Sequence, residues 1–106
     1  MASSGFSSVT FDHVGIVCSS EVFEDEIKFL NASLAPLGIK EHFRVAPLVS
    51  ALGNSPEKPD FWVSAIRKGT EIEETATPIH IGFRAADRSQ VDEFHKLGLA
   101  AGGKDK

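Results

Sequence analysis

The stretch Thr77-Pro78-Ile79-His80-Ile81-Gly82-Phe83-Arg84 repeats, with small changes, a stretch near the start of the chain, Thr10-Phe11-Asp12-His13-Val14-Gly15-Ile16-Val17. In each copy the histidine is followed by a β-branched aliphatic residue and a glycine, and the copy is followed by a polar turn and a helical pattern. An internal repeat of this kind predicts two copies of one supersecondary unit. The two histidines, His13 and His80, would then be placed to meet across a pseudo-twofold axis.

Size and composition limit the class of protein and its partners. The 106 residues allow one compact unit, and contents of 42% hydrophobic and 25% charged residues are ordinary for a globular protein. The net charge of −4 comes without a cluster of lysine and arginine, which argues against nucleic acid as a partner. No apolar run approaches the roughly 20 residues that span a bilayer, so no membrane partner is expected. The N-terminus lacks a signal-peptide pattern and Cys18 is the single cysteine, so we expect a cytoplasmic protein.

The first copy begins a strand and helix pattern. We expect residues 1–8 to be a flexible lead-in and residues 9–18 to form a strand, with Val14 and Ile16 on one face and His13 on the other. Ser19 or Ser20 is expected to cap the helix that follows. An apolar stripe at helical spacing predicts that helix: Phe23, Ile27, Leu30 and Leu34. Pro36 and Gly38 predict where it stops.

Three further strands are predicted before the second copy. Residues 39–45 alternate, so that Glu41 and Phe43 would share one face of the strand, and His42 and Arg44 would share the other, solvent-exposed face. Residues 48–52 and 61–66 supply the other two strands, and residues 67–76 read as a linker. The first unit therefore spans residues 9–66, with the order strand, helix, strand, strand, strand.

Residues 77–106 predict only the first part of a second unit. In its strand Ile79, Ile81 and Phe83 share one face, and His80, Gly82 and Arg84 share the other. Asp87 and Gln90 resemble a capping box, and the helix after them carries a shorter apolar stripe before a glycine-rich end that begins at residue 98.

Several side chains are candidates for a site. Neutral imidazole is a common ligand of divalent metals, and His13 and His80 would both face away from the helix-packed side. The alternative is a pair of half-buried strand histidines that hydrogen-bond to backbone or water. Because Phe61 and Trp62 alternate, one of them should pack on the helix and the other should line a cleft. Arg84 shares the face of His80 and suits a carboxylate or phosphate.

These features resemble the vicinal oxygen chelate superfamily, the group of glyoxalases, bleomycin resistance proteins and extradiol dioxygenases. The runs Asp12-His13-Val14-Gly15-Ile16 and Ile79-His80-Ile81-Gly82-Phe83 look like the first strands of the two βαβββ modules of that family, and the likeness covers residues 9–103. The resemblance implies an α+β fold with one complete βαβββ half-barrel module, followed by the first strand and helix of a second. It also implies a cleft between paired modules that often holds a divalent metal, with His13 and His80 as ligands.

The resemblance leaves three functions open. The first is a glyoxalase- or dioxygenase-like enzyme, of lyase or oxygenase type, with a small molecule and a divalent metal such as Fe, Zn, Mn or Ni in its cleft. The second is a non-catalytic small-molecule binding module of the bleomycin-resistance kind, and the third is an inactive fragment of a longer two-module protein. Trp62, Ser64 and Arg84 would contact the ligand, and no catalytic residue is assigned.

The residues also depart from the family pattern. Metal-binding members take a carboxylate from the last strand of the second module, which is not in this sequence, and the last strand of the first module offers only the hydroxyl of Ser64. A site of two histidines and one carboxylate would need a carboxylate from another chain or from further sequence. An unpaired strand at His80 would also expose an edge. We therefore expect a homodimer, or an exchange of elements with a second chain.

Overall fold

The computed structural model describes residues 11–66 and 79–105. In these ranges the chain has an α+β architecture with four strands and two long helices, in the order β1 (Val14–Ser19), α1 (Phe23–Leu34), β2 (Lys40–Ala46), β3 (Val49–Gly53), β4 (Phe61–Ile66) and α2 (Arg88–Ala100). The first five elements follow the predicted order of strand, helix and three strands. The predicted lead-in at 1–8, the linker at 67–76 and the first two residues of the second copy lie outside the described residues.

The four strands form one mixed sheet in the order β1-β4-β3-β2. β1 runs parallel to β4, with Val14 opposite Phe61 and Gly15 opposite Trp62. β3 is antiparallel to both of its neighbours. The parallel pair requires a crossover, and α1 with the hairpin of β2 and β3 supplies it.

Helix α1 covers one face of the sheet and makes the core with it. Its apolar stripe and the inward residues of β3 and β4 form a buried cluster: Phe23, Ile27, Leu30, Leu34, Ile39, Leu52, Phe61 and Val63. Ile16 and Cys18 of β1 pack against this cluster, as the alternation of β1 predicts. Burial raises the pKa of the Cys18 thiol, and nearby Glu26 adds to the shift. That thiol is therefore held in its neutral, unreactive form.

The ends of α1 confirm one prediction and correct another. After α1 a short 3-10 turn runs over Ala35–Leu37, and Gly38 ends it with a left-handed φ of 78° that suits glycine. The predicted serine cap is wrong, because the helix begins after Val22 and has no side-chain cap. Ser19 instead accepts a hydrogen bond from the Glu21 backbone N–H at 3.2 Å, which closes the turn before the helix.

The predicted faces of β2 are wrong, because two irregularities interrupt its pairing with β3. Glu41 pairs with Leu52 and Phe43 with Ala51, so that His42 is the extra residue of a bulge. His42 is half-buried and donates from Nε2 to the Gly53 carbonyl at 2.8 Å, rather than lying on a wet surface. The bulge places Glu41 and Phe43 on opposite faces of the sheet.

Arg44 also lies on the face of the sheet that packs against α1, rather than on a solvent-exposed face. Its guanidinium bonds the carboxylate of Glu24 on α1 at 3.0 Å, bonds Glu41, and lies 5.1 Å from the centre of the Phe23 ring. The hydrogen bond from Arg44 holds the pKa of Glu24 below its ordinary value. Arg44 therefore ties the outer strand of the sheet to the first turn of α1.

The second copy does not form the predicted strand in its described part. Residues 79–85 have no ladder hydrogen bonds, since no neighbouring strand in the described ranges pairs with them. Their side chains still alternate: Ile81 and Phe83 pack against the core, whereas His80 and Arg84 are exposed. The Phe83 ring meets the Phe61 ring edge-on, with centroids 5.3 Å apart. Among the contacts within residues 11–66 and 79–105, side-chain packing thus anchors this segment.

Helix α2 packs on α1 with little burial. The capping box is confirmed, because Asp87 accepts from the Gln90 N–H at 3.0 Å and Gln90 accepts from the Ala86 N–H at 2.7 Å. The helix continues to Ala100, two residues beyond the predicted start of the glycine-rich end. Gly98 is the buried residue of α2 and faces Ser33 of α1. Neither described helix is long and apolar enough to cross a bilayer.

Candidate functional site

The face of the sheet opposite α1 carries several of the predicted site residues. The register sets Gly15, Trp62, Ala51 and Phe43 in one row across the four strands. The next row holds Val17, Ser64 and Val49. No described helix packs over these rows, and we call this surface the open face.

Three rings define the open face. Trp62 lies between His13, at a centroid distance of 5.9 Å, and Phe43, at 6.4 Å, and both contacts are edge-to-face. Ala51 lies between Trp62 and Phe43 in this row, and its side chain is fully buried. One half of the prediction for this pair is confirmed, since Phe61 packs into the core and Trp62 lies on the other face; that Trp62 lines a cleft stays a prediction. Trp62 donates from its indole to the Pro59 carbonyl at 3.1 Å, which fixes the ring.

His13 is held by its neighbour in the chain. Its Nδ1 lies 2.8 Å from a carboxylate oxygen of Asp12, and an ionised carboxylate only accepts, so Nδ1 donates. In neutral His13 the lone pair then lies on Nε2. A histidine held this way by a carboxylate can accept a proton from a ligand hydroxyl or bind a metal through Nε2.

Gly15 leaves a gap on the open face beside Trp62. A Cβ built on Gly15 would come no closer than 3.7 Å to Trp62, and the backbone has no positive φ there, so neither crowding nor strain requires glycine. A glycine inside a strand without such a need often marks a close approach by a ligand or another backbone. Because Gly15 has no side chain, the open face has a shallow depression between His13 and Val17.

The second histidine and the arginine lie elsewhere. His80 is exposed on the unpaired segment, and no described hydrogen bond or ring contact joins it to His13. Arg84 lines an open cleft of about 300 Å³ at the end of the sheet, together with Val14, Asp60 and Phe61. Trp62 and Ser64 do not line that cleft. The structure therefore brings His13 against Trp62, places Ser64 in the row on the other side of Trp62, and leaves His80 and Arg84 apart from them.

A single copy of the chain does not supply a metal centre from its described residues. In the ranges 11–66 and 79–105 no group of three or more His, Cys, Asp or Glu side chains could hold an ion. A structural or catalytic metal site usually needs at least three such ligands from the protein. The pair formed by His13 and Asp12 provides one imidazole donor and the carboxylate that orients it.

Sequence reasoning missed two features of this region. Phe43 reaches the open face only because of the bulge at His42, and a bulge leaves no clear mark in the pattern of β2. An apolar cleft of about 250 Å³ between residues 79–85 and α2 was also not predicted, and Leu37, Ile81, Val91 and Phe94 line it.

Comparison with known proteins found no family model and no curated protein that matches this chain.

Proposed function

We propose that this chain is a module of the vicinal oxygen chelate type that binds a small aromatic molecule on the open face of its sheet. The observation that carries the proposal is the position of Trp62, which lies on the open face between the rings of His13 and Phe43. Aromatic side chains on an uncovered surface favour a flat ring, because edge-to-face and stacked contacts add to the area that is buried. The element order of residues 14–66 supports the family assignment.

Polar groups around the rings would orient such a ligand. Nε2 of His13 is an acceptor when Nδ1 donates to Asp12, and the Ser64 hydroxyl lies in the row next to Trp62. The gap at Gly15 admits a ring edge between them. An aromatic compound that carries hydroxyl groups suits the ring of Trp62 and the acceptor of His13, and catechol is a simple compound of this class.

Trp62 is also the means of testing the proposal, because the chain has one tryptophan and no tyrosine. Catechol should change the fluorescence of Trp62 in a saturable manner, with excitation at the red edge of the indole absorption. Cyclohexane-1,2-diol has the same neighbouring hydroxyl groups without the aromatic ring, and it should have little effect. No saturable change with catechol, or equal binding of both compounds, would contradict the proposal.

A matched pair of histidine variants sharpens the test. His13→Gln should weaken catechol binding by about fivefold, the value of one ordinary hydrogen bond. His95→Gln should leave binding unchanged, although His95 is equally exposed, at 56%, and also lies beside a carboxylate, that of Asp105. Equal effects of the two substitutions would count against a role for His13.

A metal-dependent enzyme is the second candidate, and the orientation of His13 by Asp12 is the observation that favours it. A second copy would have to complete the ligand set. This candidate predicts near-stoichiometric Fe, Zn, Mn or Ni in an oligomer that is purified without a tag or chelator, and its loss in both His13→Ala and His80→Ala. Absence of metal after reconstitution would leave the binding module as the better proposal.

A further inference from the structure

The cleft at the end of the sheet, where β1 and β4 begin, is a second surface that could hold a ligand. Its volume of about 300 Å³ lies at the lower end of the range for sites that bind small molecules. Trp62, at the centre of the open face, does not line it. Most of its wall is apolar and reaches the buried core: Val14, Leu37, Ile39, Phe61, Ile81 and Phe83.

Three polar side chains complete the lining, and they are Asn54, Asp60 and Arg84. They stand just after β3, just before β4 and in the second copy of the repeat. The side-chain N–H of Asn54 donates to the Leu37 carbonyl at 2.9 Å, which leaves its amide oxygen to accept from a ligand. The Asp60 carboxylate lies against Gly53, where an added Cβ would come within 3.1 Å of Oδ1. The cleft thus has one oriented amide oxygen and one carboxylate at its polar side.

The charges of Arg84 and Asp60 are not used elsewhere in the described part of the chain. The other two arginines there, Arg44 and Arg88, both pair with carboxylates. Within residues 11–66 and 79–105, neither the guanidinium of Arg84 nor the carboxylate of Asp60 forms a hydrogen bond or an ion pair. One positive and one negative group therefore line the same apolar cleft without a partner in these ranges.

This combination of charges selects a class of ligand. A simple carboxylate would bind Arg84 but be repelled by Asp60, and a simple amine would bind Asp60 but be repelled by Arg84. A zwitterion pairs with both groups. We propose that the cleft binds a free amino acid with a large aliphatic side chain. The guanidinium of Arg84 would hold its carboxylate, Asp60 and the Asn54 oxygen would accept from its ammonium group, and the apolar wall would cover its side chain.

The proposal goes beyond the proposed function, because it concerns another surface and a ligand without an aromatic ring. The two can fail separately. Catechol at saturation should leave the affinity for L-leucine unchanged, and L-leucine should leave the fluorescence response of Trp62 to catechol unchanged.

The test is an NMR titration of the isotope-labelled full chain with L-leucine, in which the amide signals next to Asp60 and Arg84 should shift in a saturable manner. Two analogues each lack one charge of leucine. Isocaproic acid has no ammonium group, and isopentylamine has no carboxylate. Each should bind roughly tenfold to a hundredfold more weakly than leucine, because one hydrogen-bonded charge is lost.

Variants assign the two ends of the ligand. Arg84→Gln should weaken leucine binding by roughly tenfold or more and should not weaken the binding of isopentylamine. Asp60→Asn should weaken the binding of leucine and strengthen that of isocaproic acid, since a repulsive charge is removed. Arg88→Gln is the matched control, because Arg88 pairs with Asp92, has 84% of its side chain exposed and does not line the cleft. It should leave all three affinities unchanged.

Several results would overturn the proposal. They are the absence of saturable shifts with leucine at millimolar concentrations, shifts on the open face instead of around the cleft, and equal binding of leucine and its two analogues. A loss in Arg84→Gln that is the same for leucine and isopentylamine would show a structural role of Arg84 and would also overturn it. If a variant fails to fold, as its circular dichroism spectrum would show, the three ligands on the unaltered chain decide the matter.

Discussion

Residues 12–17 and 79–84 share a histidine, a glycine and the apolar residues beside them, and they reach different structures. The first copy enters β1 and pairs with β4, whereas the second has no ladder hydrogen bonds and rests on the core through Ile81 and Phe83. The intrinsic preference of the two runs is nearly equal, so the difference lies in what each one meets. A strand preference becomes a strand only where a neighbouring strand supplies the other half of the hydrogen bonds.

The helices that follow the two copies differ in a complementary way. Helix α1 has no side-chain cap and is held by four large buried residues, whereas α2 has a capping box and buries only Gly98. Burial stabilises α1 and local hydrogen bonds stabilise α2. The four predictions below test this comparison.

The largest expected effect comes from removing equivalent rings from the two helices. Phe23 is fully buried, and Phe23→Ala should lower the free energy of unfolding by about 3–5 kcal/mol. Phe94 on α2 is 38% exposed, and Phe94→Ala should cost about 1 kcal/mol. Urea denaturation measures both. Losses of similar size would mean that α2 is as firmly packed as α1.

Proline substitutions at matched positions test whether each copy forms ladder hydrogen bonds with a neighbouring strand. The alternation of β1 turns the Ile16 N–H toward β4, so Ile16→Pro loses a ladder bond in addition to side-chain packing. Ile81→Pro loses packing alone. The first substitution should therefore cost about 1–3 kcal/mol more than the second in chemical denaturation. A larger loss for Ile81→Pro would show that residues 79–85 are paired in solution.

The cap of α2 should make that helix sensitive to acid. Hydrogen bonds from the Ser89 hydroxyl and the Gln90 N–H lower the pKa of Asp87. Stabilisation by this carboxylate is present above its ordinary pKa and is lost as the pH falls through the lowered value. The protection factors of α2 amides should fall in that range. The first turn of α1 should respond as well, because protonation of Glu24 removes its ion pair with Arg44, so the comparison uses the later turns of α1, which should not respond.

The control for this prediction is Asp87→Asn, which keeps an accepting cap that does not titrate. In this variant the protection factors of α2, which correct for the intrinsic pH dependence of amide exchange, should stay level across the acid range. An acid-induced loss of protection that matches the wild-type protein would assign the effect to another group.

The smallest effect on stability is expected at the repeated glycines. A Cβ on Gly15 would make only ordinary contact with Trp62, and a Cβ on Gly82 would meet nothing within 4 Å. Both alanine substitutions should change the free energy of unfolding by less than about 0.5 kcal/mol. Gly15→Ala alone should weaken the response of Trp62 to catechol. Equal responses in the two variants would remove Gly15 from the proposed site.

Much of the first unit was predictable because local patterns decide it. The spacing of four apolar residues located α1, and Gly38 ended the turn after it because its φ suits glycine. The strand at 61–66 was predicted with its correct bounds and with Phe61 and Trp62 on opposite faces, although the pattern alone did not say which of the two packs in the core.

The remaining features depend on partners that no local pattern names. The bulge at His42 follows from how β2 aligns with β3, and it brings Phe43 to the open face and Arg44 to the helix. The segment around His80 has the pattern of a strand but no neighbour to pair with in the described ranges. Three points therefore stay predictions: that His80 lies near His13, that the chain binds a small molecule, and that it binds a metal ion.

The parallel pairing of β1 with β4 has a consequence for the order of folding. On the ribosome β1 emerges first, and its partner follows roughly fifty residues later, a delay of several seconds at ordinary rates of synthesis. The hairpin of β2 and β3 closes within a short segment and needs no distant partner. We expect pulse-labelled hydrogen exchange to show the hairpin protected early and β1 last. The strand that opens the sequence would thus be the one that completes the sheet.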